Sequence, residues 1–176
     1  MVMPEIQKRR SIRKYSEKPV EQDKKDIIVE AALRAPSSMG RDPWDFVVVD
    51  DKALLEKLSM AKPHGSSFLK DAALGIVVCA DRNKSDVWVE DASIASTHIY
   101  LAAESLGLGA CWIQMRKRNY SDVLTSGEYV ASVLKLPEDM EVLSIIAIGY
   151  PAEEKKPHKG ESLKYDRVHH NGYGKK

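Results

Sequence analysis

The chain has 176 residues, 27 of them Lys or Arg against 26 Asp or Glu, for a formal charge of +1. A chain of this length can bury roughly 70% of its unfolded surface, so a single domain over residues 1–176 is expected, with a core that needs no disulfide or metal staple. The charge balance excludes a whole-molecule field that gathers nucleic acid or anionic lipid, so an anion site has to be local.

Near the N-terminus, "EIQKRRSIRKY" places Lys8, Arg9, Arg10, Arg13 and Lys14 within eleven residues. The segment is extended or opens a helix; in the extended case Arg9, Ser11 and Arg13 share one side. Val20 to Leu33 carries Ile27, Ile28, Ala31 and Ala32 at helical spacing, and Pro36 disfavours helix at Ala35. Four β-branched or apolar runs read as strands: 44–50, 74–80, 110–115 and 142–150. Helical patterns lie between them at 51–61, 86–106 and 121–134, and the alanines of 86–106 suit it to close packing at the centre. From Pro151 the composition turns polar and charged, and this segment, 151–176, reads as an arm that makes no core of its own.

Strands alternating with helices suggest a parallel, doubly wound sheet. Two features weaken that suggestion. No strand-to-helix turn carries Gly-x-Gly-x-x-Gly, since "GLGA" at 107–110 follows a helix and enters a strand. The polar arm also needs a surface to lie on, which a second copy of the chain supplies. Cys79 and Cys111 sit in apolar runs without metal-ligand spacing, so buried thiols in a reducing compartment are expected and no metal site. With no apolar h-region at the N-terminus and no apolar run near ~20 residues, the expectation is a soluble cytoplasmic protein without a membrane partner.

Three stretches carry chemistry. "RRSIR" offers three guanidiniums and a hydroxyl in five residues, a donor set suited to an oxyanion, although a basic terminus is also compatible with a wet surface or a nucleic-acid arm joined by "MRKR" at 115–118. "RAPSSMGRDPW" is a donor-rich loop ahead of a buried strand, with Gly40 for a tight backbone. In "GLGACWIQM", Gly107 closes a helix and Gly109 permits a close approach, after which main-chain N–H groups run along an edge. His64, His98, His158, His169 and His170 have no evident partner, so no catalytic acid or base is assigned.

In this order and spacing, "RRSIRKY", "APSSMGRDPWDFVVV", "GLGACWI" and "IAIGYPAEEKKP" with the tail "DRVHHNGY" resemble the FMN-dependent nitroreductase family over Arg9 to about Tyr173. The resemblance implies an α+β fold, a central, mainly antiparallel sheet flanked by helices, in a homodimer with FMN at the interface and the C-terminal tail embracing the partner subunit. It implies that Arg9, Arg10 and Ser11 hold the flavin phosphate and ribityl chain, with Arg13 beside the pyrimidine end of the ring. Pro36, Ser37, Ser38 and Met39 match the loop contributed by the other subunit; Trp112, Ile113 and Gln114 match the segment whose main chain faces N5 and O4; Lys159 matches, loosely, a phosphate-binding position.

The activity implied is hydride transfer from NADH or NADPH through FMN to a small electron-poor acceptor such as a nitroaromatic or quinone, with ene reduction or dehalogenation as an alternative and a non-enzymatic nucleic-acid-binding domain as the reading from another class. Gly40 stands where many relatives have asparagine, and "AKPHGSSFLKDAA" (61–73) lacks the Asn and Lys that some relatives place near the flavin.

Overall fold

A computed structural model describes residues 2–175 of the chain. Its centre is a sheet of four strands, β1 (Trp44–Val49), β2 (Leu74–Asp81), β3 (Gly109–Gln114) and β4 (Met140–Gly149), in the order β1-β2-β4-β3 with every pairing antiparallel. The parallel arrangement suggested by helix and strand alternation is therefore absent, and the antiparallel one implied by the resemblance is present. The alternation misleads because helices cover both faces, so the two inner strands read as unbroken apolar runs, as parallel strands do.

One face packs against α2 (Gln22–Leu33) and α4 (Trp88–Ser105), through Ile28, Ala32, Ala92, Ile99 and Ala103 against Ile76, Val78, Ile146 and Ile148. The other packs against α3 (Lys52–Ser59) and α5 (Ser126–Leu134), through Leu55, Leu58 and Val130 against Val77, Cys79, Ile145 and Ala147. Both cysteines are buried free thiols. Burial pushes the Cys79 thiol up to about 12, as expected for a group that loses water more than it gains partners.

Local signals set the helix ends. Asp51 accepts from Leu54 N–H to start α3, and Thr125 with Glu128 forms a reciprocal capping box at α5. Gly107, at φ +74°, ends α4 with a Schellman pair: Leu108 N–H donates to Ala103 O at 2.9 Å and Gly107 N–H to Glu104 O at 3.0 Å. One helix escaped the periodicity: α1 (Met3–Lys8) has six residues, none of them buried.

The basic arm follows α1 and lies along the outer edge of β3. Ser11 forms a parallel bridge with Ala110, and Ile12 N–H donates to Ala110 O at 3.0 Å. Further on, Ser16 N–H bonds Tyr150 O, and Ala152 N–H bonds Lys14 O, so the chain beyond β4 returns over the arm. Gly109 makes this approach possible: a Cβ there would stand 2.8 Å from Ile12 Cβ and Cγ2. Gly109→Ala is expected to push the arm off the edge and cost roughly 1–3 kcal/mol of stability, measurable by urea unfolding, with faster proteolytic release of the arm under native conditions.

Candidate functional site: a cationic arm over an aromatic cavity

Between the arm and α4 lies a cavity of about 440 Å³ lined by Ile6, Arg9, Ser11, Thr97, Tyr100, Leu101 and Trp112. The Tyr100 hydroxyl donates to Ser11 Oγ at 2.9 Å, and the Arg9 guanidinium stacks on the Tyr100 ring, 5.0 Å from its centroid. Burial raises the Tyr100 phenol above its ordinary range, so it stays a neutral donor; the hydrogen bond to Ser11 and the Arg9 charge oppose that shift only in part. The cavity thus joins an apolar, aromatic wall to a rim of guanidinium and hydroxyl groups.

The C-terminal segment clamps the arm. Glu153 Oε1 accepts from the Arg13 and Lys14 N–H groups at 2.6 and 3.3 Å, and the N–H of Arg13 in particular lowers the Glu153 carboxyl. Lys155 Nζ donates to Ser11 O at 2.8 Å and pairs with Glu153 at 3.1 Å, while Arg10 donates to Lys156 O. A second cavity beside the first carries Arg10, Lys155 and Pro157.

Arg9, Ser11 and Trp112 are therefore brought together, with Arg10 next to them. Arg13 is not on their side: its guanidinium crosses to the opposite face of the sheet, 5.7 Å from the Phe68 ring centroid. The expectation for a fully extended arm fails here: only Ser11 and Tyr15 form strand-like bridges, to Ala110 and Pro151, and no regular pairing holds residues 12–14 between them. Lys159 is exposed, and its carbonyl accepts from Ser162 within the tail. The tail lysine whose side chain reaches the arm is Lys155; neither it nor Tyr100, Thr97 and Leu101 carries a signal in the sequence that marks it as part of the site.

β3 is the edge strand of the sheet. Ala110 turns its carbonyl outward to the arm, and two-residue alternation turns the main-chain groups of Trp112 and Gln114 the same way, beyond the point where the arm departs. Ile113 points its side chain into the core, and the Trp112 indole N–H donates to Gln114 Oε1 at 2.9 Å. The strand thus offers a short row of edge N–H donors beside the cavity.

Pro36 to Met39 lie elsewhere. Ser38–Gly40 forms a 3-10 turn at the β1 edge, where Ser38 N–H donates to Asp91 on the first turn of α4. The sheet places that edge three strand spacings from β3, about 14 Å, and the nine residues from Asp91 to Tyr100 separate loop and cavity by about 14 Å along α4. Within one chain, loop and arm do not meet.

Comparison with known proteins identifies the family. A family model described as the nitroreductase family matches residues 6–62 and 59–150, which hold the arm, the loop and β3. The chain belongs to the nitroreductase family. A Methanothermobacter thermautotrophicus protein named NADH dehydrogenase/NAD(P)H nitroreductase is 38% identical over 171 residues, covering 96% of this chain and 85% of its own length. A Bacillus subtilis FMN reductase [NAD(P)H] is 31% identical, covering 89% of this chain and 69% of itself. The solved FMN-dependent nitroreductase of Clostridium difficile superposes with a TM-score of 0.96 at 49% identity, covering 97% of this nitroreductase-family chain and 99% of the other.

The donor set fits FMN on its own chemistry. Guanidiniums, a lysine and a serine hydroxyl suit a phosphate, and the open edge N–H groups of β3 suit the heteroatoms of a planar ring. Lys155→Ala is expected to weaken FMN binding about ten-fold, the usual scale for a lost charge-assisted hydrogen bond, and Lys159→Ala much less. Titration of the intrinsic FMN fluorescence with each variant measures the difference.

Proposed function

We propose that the chain, acting as one domain, pairs with a second copy to form an NAD(P)H-dependent FMN oxidoreductase that reduces small electron-poor acceptors, nitroaromatics and quinones first among them. The enzyme class, an NAD(P)H-dependent oxidoreductase using FMN, follows from the family. The observation that carries the reading is the cavity in which Arg9 and Ser11 stand over Tyr100 and Trp112.

When bound, FMN supplies the electron chemistry, taking hydride from NAD(P)H and giving it to an acceptor while negative charge builds at the pyrimidine end of its ring. Arg9, Arg10, Ser11 and Lys155 would hold its phosphate and ribityl chain. Arg13, whose side chain makes no ion pair among the described residues and lies on the Phe68 side of the β3 edge, would supply the fixed positive charge there, with the ring's pyrimidine end reaching past the open edge toward it. The outward N–H groups at Trp112 and Gln114 would orient the ring edge. No side chain is asked to act as acid or base, and no group of His, Cys, Asp or Glu among the described residues is arranged to hold a metal. No helix among them is long and apolar enough to cross a membrane.

Surface area supports the second copy. A folded monomer of 19.7 kDa exposes about 8,600 Å² by the usual size scaling, whereas this chain exposes 10,585 Å². The excess, about 2,000 Å², is on the scale of an obligate interface. It includes Ile6, Ile27, Leu33, Met39 and Ile94, all at least 40% exposed. From Pro157 onward the hydrogen bonds stay within the tail, and Leu163, Tyr165 and Tyr173 project from it. A partner would cover these groups. The nucleic-acid reading is disfavoured because Arg9 and Arg10 are half-buried against Tyr100 and the returning tail.

Purified protein is expected to be yellow, to release FMN on denaturation, to elute as a dimer and to oxidise NADH or NADPH when a nitroaromatic or quinone is added. A colourless protein that fails to bind added FMN would contradict the assignment; turnover of enones or halophenols without nitro or quinone reduction would move it to ene reduction or dehalogenation. Arg13→Ala is expected to bind FMN more weakly and to lower the flavin midpoint potential, by about 30 mV for each ten-fold loss of preference for the two-electron reduced form.

A further inference from the structure

The loop from Pro36 to Asp42 is held in a conformation that it would not keep unaided. Met39 (φ 55°), Gly40 (φ 63°) and Asp42 (φ 44°) are all left-handed, and two of the three are not glycine. The result is a Met39 side chain that is 83% exposed at the loop tip. Strain of this kind persists only where the surroundings over-determine it.

The surroundings here are polar and partly buried. Asp91, 3% exposed on the first turn of α4, accepts from Ser38 N–H with Oδ1 at 2.8 Å and from the Ser85 hydroxyl with Oδ2 at 3.0 Å. A carboxylate is favoured at that turn by the helix dipole. Within the loop, Ser37 Oγ donates to Asp42 Oδ1 at 2.6 Å and accepts from Asp42 N–H at 3.0 Å, and Arg41 bridges Asp86 and Met39 Sδ. Asp91 is the one link between the loop main chain and a core helix in this set, and both of its oxygens are used.

We propose that Asp91 is a positioning residue: through Ser38 N–H it fixes the Pro36–Met39 loop in the form that meets the flavin bound by the partner subunit, while Ser85 holds the carboxylate in place. This rests on the FMN-binding pair of chains proposed above and on the partner-loop role that the family resemblance implies. Asp91 touches no cofactor or substrate; it acts through the loop. Because loop and arm are separated within one chain, a lesion at Asp91 acts on the site whose arginines belong to the other chain.

FMN titration of the full-length protein tests this. Wild-type protein that binds no FMN overturns both the functional reading and this inference; wild-type protein that binds FMN leaves the inference to stand or fall on the variants. Asp91→Ala is expected to bind FMN about ten-fold more weakly and to shift the visible flavin spectrum, because Ser38 N–H loses its acceptor. Asp91→Asn, which keeps an acceptor oxygen for Ser38, is expected to return affinity to within about three-fold, a rescue within the scatter of neutral hydrogen bonds. Unchanged affinity and spectrum in Asp91→Ala overturns the inference. Should that variant not fold, Ser85→Ala replaces it, with a few-fold loss expected and no change overturning.

Co-expression of an Asp91→Ala chain with an Arg9→Ala chain, carrying different tags, isolates mixed dimers. One of their two sites then has an intact arm and an intact loop if the loop acts across the interface. One tight FMN per mixed dimer is the expected stoichiometry. None would show that each loop serves its own chain and would overturn the proposal.

Discussion

The attachment of the basic arm to the free edge of β3 decides where everything else can be. An edge strand exposes main-chain donors and acceptors, and a natural sheet covers, charges or shortens such an edge. Here the Ile12 N–H to Ala110 O bond covers only the first part of it, and the missing side chain at Gly109 lets Ile12 approach closely enough to make that bond. The remainder, from Trp112 to Gln114, stays open beside a cavity whose rim the arm itself supplies. A single short contact thus produces both halves of a binding surface: side-chain cations from the arm and main-chain donors from the strand.

The clamp above the arm has a similar logic. Lys155 and Glu153 come from the segment just past β4, the inner neighbour of β3, so the hydrogen-bonded pair β3·β4 delivers tail and arm to the same end of the sheet. Glu153 is spent on arm N–H groups and on Lys155 rather than on a guanidinium. That leaves the arginines of the arm without a carboxylate partner among the described residues, a costly arrangement for an isolated protein and a useful one for a phosphate site. Stability and ligand affinity therefore draw on the same few residues.

Much of this was legible in the sequence where periodicity or turn chemistry speaks. The apolar run of β2, the alanine-rich face of α4 and the Gly107 stop each correspond to observed elements. Strand direction was not legible, because burial on both faces erases the alternation that marks an antiparallel strand. α1 was invisible because six residues with no buried side chain have no pattern to show. That Lys155 reaches the arm is not legible because position along a polar tail is set by a backbone clamp rather than by spacing, nor is the place of Tyr100, because its hydroxyl partner, Ser11, lies 89 residues away. Asp91 is the same case: a lone acid in a helix looks solvated until the fold places two serines on it.

The separation of loop from arm turns these local facts into a constraint on assembly. A chain that keeps Met39 in water on a strained loop, and its arginines unpaired at the opposite edge of the sheet, carries two unfavourable surfaces that cannot relieve each other internally. In the proposed pair, a two-fold axis that set each loop against the other chain's arm would relieve both at once, because an isologous interface repeats every contact twice. In such a pair ligand binding and pairing would be linked: whatever neutralised the arginines would also give the facing loop something to cover, and each event would raise the affinity of the other by the same factor. The left-handed backbone at Met39 and its exposed side chain would then find in the second chain the contact that one chain does not supply.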